Sequence, residues 1–198
     1  MLVVEGMTRN PVTITGTTTV GQALEIVEKH RLRHLPIVDE KEILVGIVSE
    51  KDLLRASFDA PVEEVMTKDV ITVTEYTALE EAARIMVDRR ISSLPVMRSG
   101  KLVGIVTETD LFQIFLELLA AREHGVRLTM LVPEEKGMLA SVTNEIAAMG
   151  GNILALSTFT GEDPTNRMVT VKVTDVPTEK LLAIMEACGM EIVDVRED

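Results

Sequence analysis

The chain has 198 residues, 46% of them hydrophobic, and its formal net charge is −12 at pH 7. That length suits one or two domains, and that hydrophobic content is enough for packed cores, which excludes a disordered chain. The acidic balance argues against nucleic acid as a partner, because such binding needs clustered Lys and Arg opposite many phosphates. No apolar run approaches the roughly 20 residues that cross a bilayer, and no signal-like block opens the chain. We therefore expect a soluble cytoplasmic protein without membrane contacts.

The first part of the chain is an internal repeat. Aligning Met7 with Met66 keeps the register through Pro36 and Pro95, and after a one-residue deletion "LVGIVSEKDL" falls on "LVGIVTETDL". The repeat length of about sixty residues exceeds the usual solenoid periods. Two copies of this length predict paired subdomains and not a stacked array.

Each copy predicts the same order of elements. Apolar residues at i, i+3, i+4 and i+7 indicate a helix, which is followed by a strand, a turn, a β-branched strand and a closing helix. The helices are marked by Val20, Ala23, Leu24 and Val27 and by Leu79, Ala82, Ala83 and Met86, and the strands by "LPIV", "LPVM" and "LVGIV". The first closing helix should run through "DLLRA" toward Pro61. The second should continue to Gly125, which can cap it.

The remainder of the chain predicts a different unit. Strands are indicated by "VRLTMLV", "NILALSTFT", "NRMVTVKV" and "MEIVDV", helices by "GMLASVTNEIAAMG" and "PTEKLLAIMEACG", and a turn by "GEDPTN". The order βαββαβ is the ferredoxin-like arrangement. We therefore predict a mixed α/β fold divided into segments 1–60, 61–124 and 125–198. Cys188 lies at helical spacing from Leu181 and Met185, so we expect this single cysteine to fill core space.

A hydroxyl and an aspartate stand three residues apart at the strand-to-helix junction of each repeat. These pairs are Ser49 with Asp52 and Thr107 with Asp110. The spacing is that of a capping box, which stabilises a helix start by roughly 0.5 to 2 kcal/mol. The same geometry suits ligand binding, because a helix start favours a phosphate and the aspartate can accept hydrogen bonds from a sugar diol. Capping boxes usually use Glu or Gln, so the repeated Asp favours the ligand hypothesis without excluding capping.

The stretches "MTRNPVTI", "HRLRHLPIVD" and "LVGIVSEKDL", with their second copies "MTKDVITV", "DRRISSLPVM" and "LVGIVTETDL", resemble the CBS domain. Two such repeats in tandem resemble a Bateman module, and the similarity covers roughly residues 1–118. It implies a regulatory ligand bound in clefts between the repeats. That ligand would be an adenosine nucleotide (AMP, ADP or ATP) or S-adenosylmethionine.

The resemblance also implies roles for matching positions. Ser49 and Thr107 would bind phosphate, and Asp52 and Asp110 the ribose hydroxyls. The backbone around His34, Leu35, Pro36, Ser93, Leu94 and Pro95 would contact the adenine, with Val12, Thr13, Ile71 and Thr72 opposite. The guanidinium groups of Arg31, Arg33 and Arg90 either bind phosphate or belong to solvated helix ends. For His34 the alternatives are donation to a phosphate and packing at a subunit contact.

The last segment resembles the ACT domain, a βαββαβ regulatory module that in many enzymes binds amino acids at a subunit interface. Gly137 in "PEEKGML" and Asn152 in "GGNI" match that family, whereas its Asp-Arg-Pro signature has no counterpart here. The similarity implies an effector site at Gly137, Met138, Asn152 and Ile153. Dimerisation is an equal alternative, and Met138 and Leu139 could simply be core residues.

Both modules in this order resemble the acetoin-utilisation accessory proteins. No Gly-x-Ser-x-Gly elbow, Walker loop or dinucleotide fingerprint occurs, and the histidines and cysteine share no metal-ligand spacing. We therefore expect no catalysis, no catalytic cofactor and no bound transition metal. The expected function is that of a ligand-sensing homodimer or larger homo-oligomer that acts on a partner enzyme or through its own assembly. The alternatives are a structural adaptor with no bound nucleotide and an enzyme of unrecognised type.

Overall fold

The computed structural model describes residues 1–160, 163 and 165–197. The predicted turn at 161–166 therefore lies partly outside the described residues. Backbone contacts divide the chain into two compact units, Met1–Gln113 and Ile114–Asp198, so the predicted segment 61–124 extends past this division. Along the described part of the chain, no helix is long and apolar enough to cross a membrane.

The first repeat follows the predicted order of elements. These are α1 (Val3–Gly6), β1 (Thr8–Arg9), α2 (Val20–His30), β2 (His34–Val38), β3 (Leu44–Ser49) and the single-turn helix α3 (Glu50–Leu53). The closing helix α3 is shorter than expected. The carbonyl groups of Phe58 and Ala60 accept hydrogen bonds from the N–H groups of Gly21 and Val20 at the start of α2, both at 2.9 Å. The chain leaves the helical path after Leu53 to reach these donors, which a helix start leaves free.

The second repeat has the same elements with a longer closing helix. After one 3₁₀ turn at Val62–Glu64 come β4 (Val73–Thr74), α4 (Leu79–Arg89), β5 (Ser93–Arg98), β6 (Lys101–Thr107) and α5 (Glu108–Leu118). The prediction that α5 runs to a capping Gly125 is wrong. Ala120 adopts the left-handed conformation with φ 49°, and Ala121 donates to the carbonyl of Leu116 at 2.8 Å. This left-handed turn ends the helix in the way usually assigned to glycine.

The two repeats exchange segments. Strand β1 of the first repeat pairs with β6 of the second, placing Thr8 opposite Ile105, in a four-stranded sheet ordered β1-β6-β5-β4. Reciprocally, Thr67 and Ile47 exchange two backbone hydrogen bonds of 2.9 and 3.0 Å beside the β2-β3 pair. The segment after each "MT" dipeptide thus lies on the sheet of the other repeat.

A glycine lies at each of the two places where a segment of one repeat pairs with a strand of the other. A Cβ atom at Gly104 would lie 2.5 Å from Met7 Sδ and 3.1 Å from the carbonyl oxygen of Thr8. At Gly46 the corresponding distances to Met66 Sδ and the Thr67 carbonyl oxygen are 2.4 and 3.2 Å. The repeated glycine of "LVGIV" is therefore explained by the close approach of another backbone, which a side chain would push away.

The predicted apolar helix faces are confirmed. Val20, Ala23 and Val27 of α2 are buried, as are Leu79, Ala82 and Met86 of α4. They face strands whose inward residues are almost fully buried: Leu35, Ile37 and Val48 in the first repeat and Leu94, Val96 and Val106 in the second.

The second unit has the predicted βαββαβ order. Its elements are β7 (Val126–Pro133), α6 (Met138–Ala148), β8 (Asn152–Thr160), β9 (Asn166–Thr174), α7 (Thr178–Ala187) and β10 (Glu191–Glu197). The strands form one antiparallel sheet ordered β10-β7-β9-β8. Its core contains Leu128 and Val171 of the sheet with Ile146 and Leu181 of the two helices.

The prediction that Cys188 fills core space is wrong, because the residue is exposed. Helix α7 ends at Ala187, and its buried face is formed by Leu181 and Met185. Cys188 lies directly after the last residue of α7 and is not part of this buried face. Leu139 is also exposed, at 39%, whereas Met138 packs partly against the core.

Candidate functional site

Both hydroxyl–aspartate pairs form capping boxes. Asp110 Oδ2 accepts hydrogen bonds from Thr107 N at 2.8 Å and Thr107 Oγ1 at 2.7 Å, and Thr107 Oγ1 accepts from Asp110 N at 3.3 Å. Asp52 Oδ2 accepts in the same way from the N–H and hydroxyl groups of Ser49. No described residue donates a hydrogen bond to Oδ1 of either aspartate. Capping therefore uses one carboxylate oxygen and leaves the second available for a ligand.

The junction of the second repeat lies in a cleft of about 420 Å³, here called cleft A. Its lining residues from the first repeat are Thr8, Asn10, Pro11, Val12, Arg31, Leu32, Arg33 and His34, and those from the second are Ser92, Ile105, Thr107, Glu108, Thr109 and Asp110. Cleft A thus brings the Thr107–Asp110 pair into one cleft with two arginines of the other repeat.

The junction of the first repeat lies in a smaller cleft of about 280 Å³, here called cleft B. Its lining residues from the first repeat are His34, Ile47, Ser49 and Asp52, and those from the second are Thr67, Asp69, Val70, Ile71, Arg90, Ile91, Ser92 and Ser93. Cleft B repeats the plan of cleft A with the roles of the repeats exchanged. The exchange of segments after each "MT" dipeptide creates both clefts.

Arg31 and Arg90 occupy equivalent backbone positions with unusual geometry. Each follows the last residue of its helix in the left-handed conformation, with φ of 53° and 54°. Glycine adopts this conformation at least cost, and other residues adopt it less often. Among the described residues, neither arginine forms an ion pair, in contrast to Arg98 with Glu75 and Arg167 with Glu134. Both guanidinium groups are therefore available to an anion in the clefts.

His34 lies between the clefts and joins the two repeats. A hydrogen bond of 2.9 Å links His34 Nε2 and Ser92 Oγ, and both residues line both clefts. Burial, reinforced by the positive charge of Arg33, lowers the pKa of His34, while Glu108 and Asp52 act in the opposite direction. The imidazole is therefore neutral at pH 7 and serves as a hydrogen-bonding group, not as a cation. The contact that it makes is between repeats of one chain.

Several other residues assigned from the resemblance do not line either cleft. Leu35, Pro36, Leu94 and Pro95 are buried in strands β2 and β5, and Thr13 and Thr72 are exposed beside the cleft-lining Val12 and Ile71. Ser93 is buried and lines cleft B. A role of the backbone of these strand residues in adenine contact stays a prediction.

Asn10 and Asp69, which were not predicted from the sequence, line clefts A and B respectively. They occupy the same position of the two repeats, in "MTRN" and "MTKD". Asn10 has a left-handed φ of 47°, a conformation that Asn tolerates better than most residues. The signal available from the sequence was this aligned Asn/Asp position directly after the segment that crosses to the other repeat.

In the second unit, the proposed effector residues are not gathered in one pocket. Gly137 and Met138 line a pocket of about 230 Å³ together with Glu134 and Arg167. Asn152 and Ile153 lie at the start of β8 and do not line it. A second pocket of about 370 Å³, which the sequence analysis did not anticipate, is lined by Arg127, Lys172 and Arg196 among others. Within the described residues, no group of His, Cys, Asp or Glu side chains could hold a metal ion.

Comparison with protein families gives two matches. Residues 3–59 and 62–117 match the model of the CBS domain, and residues 126–187 match that of the ACT domain. The chain belongs to the CBS domain family. It is built from two tandem CBS domains followed by an ACT domain, as the sequence predicted.

Solved structures similar to the CBS pair include three informative ones. A protein from Vibrio cholerae assigned to acetoin utilization (AcuB) is 40% identical, with a TM-score of 0.57, over 62% of this chain and 96% of that one. The CBS pair of protein MJ0100, solved with 5′-methylthioadenosine and S-adenosylmethionine, is 36% identical, with a TM-score of 0.56, over 58% of this chain and 95% of that one. CBSX2, solved with AMP, is 31% identical, with a TM-score of 0.54, over 58% and 96%. Two of these three proteins thus hold adenosine-derived ligands.

Curated relatives match about half of this chain. A 17.7 kDa protein of Acidianus ambivalens is 38% identical over 50% of this chain and 64% of its own length. Inosine-5′-monophosphate dehydrogenase of Aquifex aeolicus is 38% identical over 54% of this chain and 23% of the enzyme. The match thus spans about a quarter of that enzyme.

The lowered pKa of His34 predicts a pH dependence of stability. In the unfolded chain His34 binds a proton at about pH 6.5, whereas in the folded chain it does so only at lower pH. The free energy of unfolding therefore decreases as the pH falls from about 6.5 to the pKa of the folded state. We expect the wild-type chain to lose more stability on acidification than the His34→Gln variant. Thermal midpoints of both proteins from about pH 7.5 to about pH 5 measure this difference. Parallel curves would contradict the assignment.

Proposed function

We propose that this chain is a cytoplasmic, ligand-sensing regulatory protein whose CBS pair binds an adenosine nucleotide or S-adenosylmethionine in clefts A and B. One observation carries the proposal. Each cleft combines a hydroxyl–aspartate junction from one repeat with an arginine from the other: Thr107 and Asp110 with Arg31, and Ser49 and Asp52 with Arg90. A carboxylate oxygen for ribose hydroxyls and a guanidinium for phosphate oxygens suit an adenosine nucleotide.

A ligand that contacts both repeats provides a physical basis for regulation. It stabilises the arrangement of the repeats to which it binds, by about 2.7 kcal/mol when free ligand is a hundred times its dissociation constant. Because His34 and Ser92 line both clefts, a ligand that contacts them in one cleft also contacts residues of the other. We propose that the chain has no catalytic activity and that it acts on a partner enzyme or through its own assembly.

We further propose that the ACT domain joins subunits. Strand β8 forms an edge of its sheet and pairs only with β9 among the described strands. An edge strand of this length is a ready template for another chain, and Phe159 on it is 51% exposed. Light scattering of the intact chain should give twice the mass of 21.8 kDa. Phe159→Lys should weaken self-association, and a wild-type monomer at all concentrations would contradict the proposal.

The ligand proposal is tested by titration calorimetry and thermal shift with AMP, ADP, ATP and S-adenosylmethionine. Saturating ligand should raise the thermal midpoint by roughly 5 to 10 °C. Asp110→Ala should weaken binding in cleft A by roughly ten- to a hundredfold, because a hydrogen bond to a charged group is lost.

The Asp110→Asn variant is the matched control, since it keeps an oxygen that can cap the helix. If Asp110→Ala binds as the wild type does but melts lower, the junction is a capping device. No binding of any of the four ligands would favour the structural adaptor, and product formation from ATP would indicate an enzyme.

A substitution at Arg31 separates folding from binding. Arg31→Gly removes the side chain but suits the left-handed backbone, so the thermal midpoint should stay unchanged or rise. Nucleotide binding should weaken about tenfold or more, because a charged hydrogen-bond donor is lost. Arg31→Lys, which keeps the charge, should lose less affinity. Equal binding by the glycine variant and the wild type would assign Arg31 to a solvated helix end.

A further inference from the structure

The two clefts share a plan but differ at equivalent positions. Asn10 of cleft A corresponds to Asp69 of cleft B, in the segments that follow the two "MT" dipeptides. Arg33 of cleft A corresponds to Ser92 in the alignment of "HRLRHLP" with "RRISSLP". Both differences change formal charge in the same direction. Each makes cleft A more positive than cleft B.

Formal charges of the lining residues show the combined effect. Cleft A has Arg31 and Arg33 against the carboxylates of Glu108 and Asp110. Cleft B has Arg90 as its single arginine against the carboxylates of Asp52 and Asp69. Among the described residues, none of these three arginines is neutralised by an ion pair. A phosphate group is therefore favoured in cleft A and meets an excess of negative charge in cleft B.

The space available differs in the same sense. Cleft A measures about 420 Å³ and cleft B about 280 Å³. Both keep the aspartate that suits ribose hydroxyls, Asp110 in one and Asp52 in the other. The larger volume and the additional arginine thus occur in the same cleft. A ligand that carries a phosphate in addition to adenosine needs both.

Resting on the proposed function, we propose that the clefts take different ligands. Cleft A binds a phosphorylated adenosine, and cleft B binds an adenosine derivative without phosphate, neutral or positively charged. The chain then responds to two classes of adenosine compound through one CBS pair.

The experiment uses the intact chain and two probes, AMP and 5′-methylthioadenosine, in titration calorimetry. Asp110→Ala should weaken AMP binding about tenfold or more and leave the binding of the thioether nucleoside within about threefold. Asp52→Ala should show the reverse. These variants assign each probe to a cleft.

Substitutions that change the charge of one cleft test whether charge determines which probe binds, and they leave the capping residues unchanged. Arg33→Ser, which gives cleft A the residue of the second repeat, should weaken AMP binding about tenfold or more and spare the thioether nucleoside. Asp69→Asn should admit AMP to cleft B, detected as a second equivalent of bound AMP. Arg55→Ser removes an exposed arginine outside both clefts and should bind both probes as the wild type does.

The outcomes separate the two proposals. The assignment of different ligands is overturned if the wild type has two equal AMP sites, or if Arg33→Ser binds AMP as the wild type does. Either result leaves the proposed nucleotide-sensing function standing. Absence of binding by either probe overturns the sensor and this assignment together.

Discussion

The close crossing of the two repeats is the constraint on which the clefts depend. At Gly104 the backbone of Thr8 approaches β6 so closely that a methyl group would lie 3.1 Å from its carbonyl oxygen, and Gly46 has the same relation to Thr67. Each crossing brings residues of one repeat beside the hydroxyl–aspartate junction of the other. Neither repeat alone supplies all residues of a cleft. The glycines that are written twice in the sequence therefore matter for the site as well as for the sheet.

At the junctions, helix capping and ligand binding use the same residue but different atoms. Oδ2 of Asp52 and Asp110 accepts hydrogen bonds from the backbone N–H and hydroxyl groups of the residue that precedes the helix, which fixes the direction of each carboxylate. A side chain held in place in this way loses little further freedom when it accepts hydrogen bonds from a ligand. Arg31 and Arg90 differ from these aspartates, because no contact among the described residues holds their side chains in place. Their left-handed backbone also carries a conformational cost.

Local patterns in the sequence were sufficient for most of the fold. The repeat, helices α2 and α4, their buried faces and the βαββαβ order of the ACT domain all follow from periodicity and turn chemistry. The errors occurred at the ends of helices. Helix α3 stops because the start of α2 requires hydrogen-bond acceptors, and α5 stops at a left-handed alanine. For the candidate site, the junction residues could be identified from their repetition. Asn10 and Asp69 also occupy equivalent positions of the two repeats, but that equivalence does not say which residues of the other repeat share their cleft.

Fusion of both CBS domains in one chain has a consequence for how the site can change. In a symmetric pair of identical single repeats, every substitution would appear in both clefts at once. Here Asn10 and Asp69 are encoded separately, so the residues of each cleft can change without altering those of its counterpart. If the two clefts take different ligands, as proposed, one chain can respond to the ratio of two metabolites.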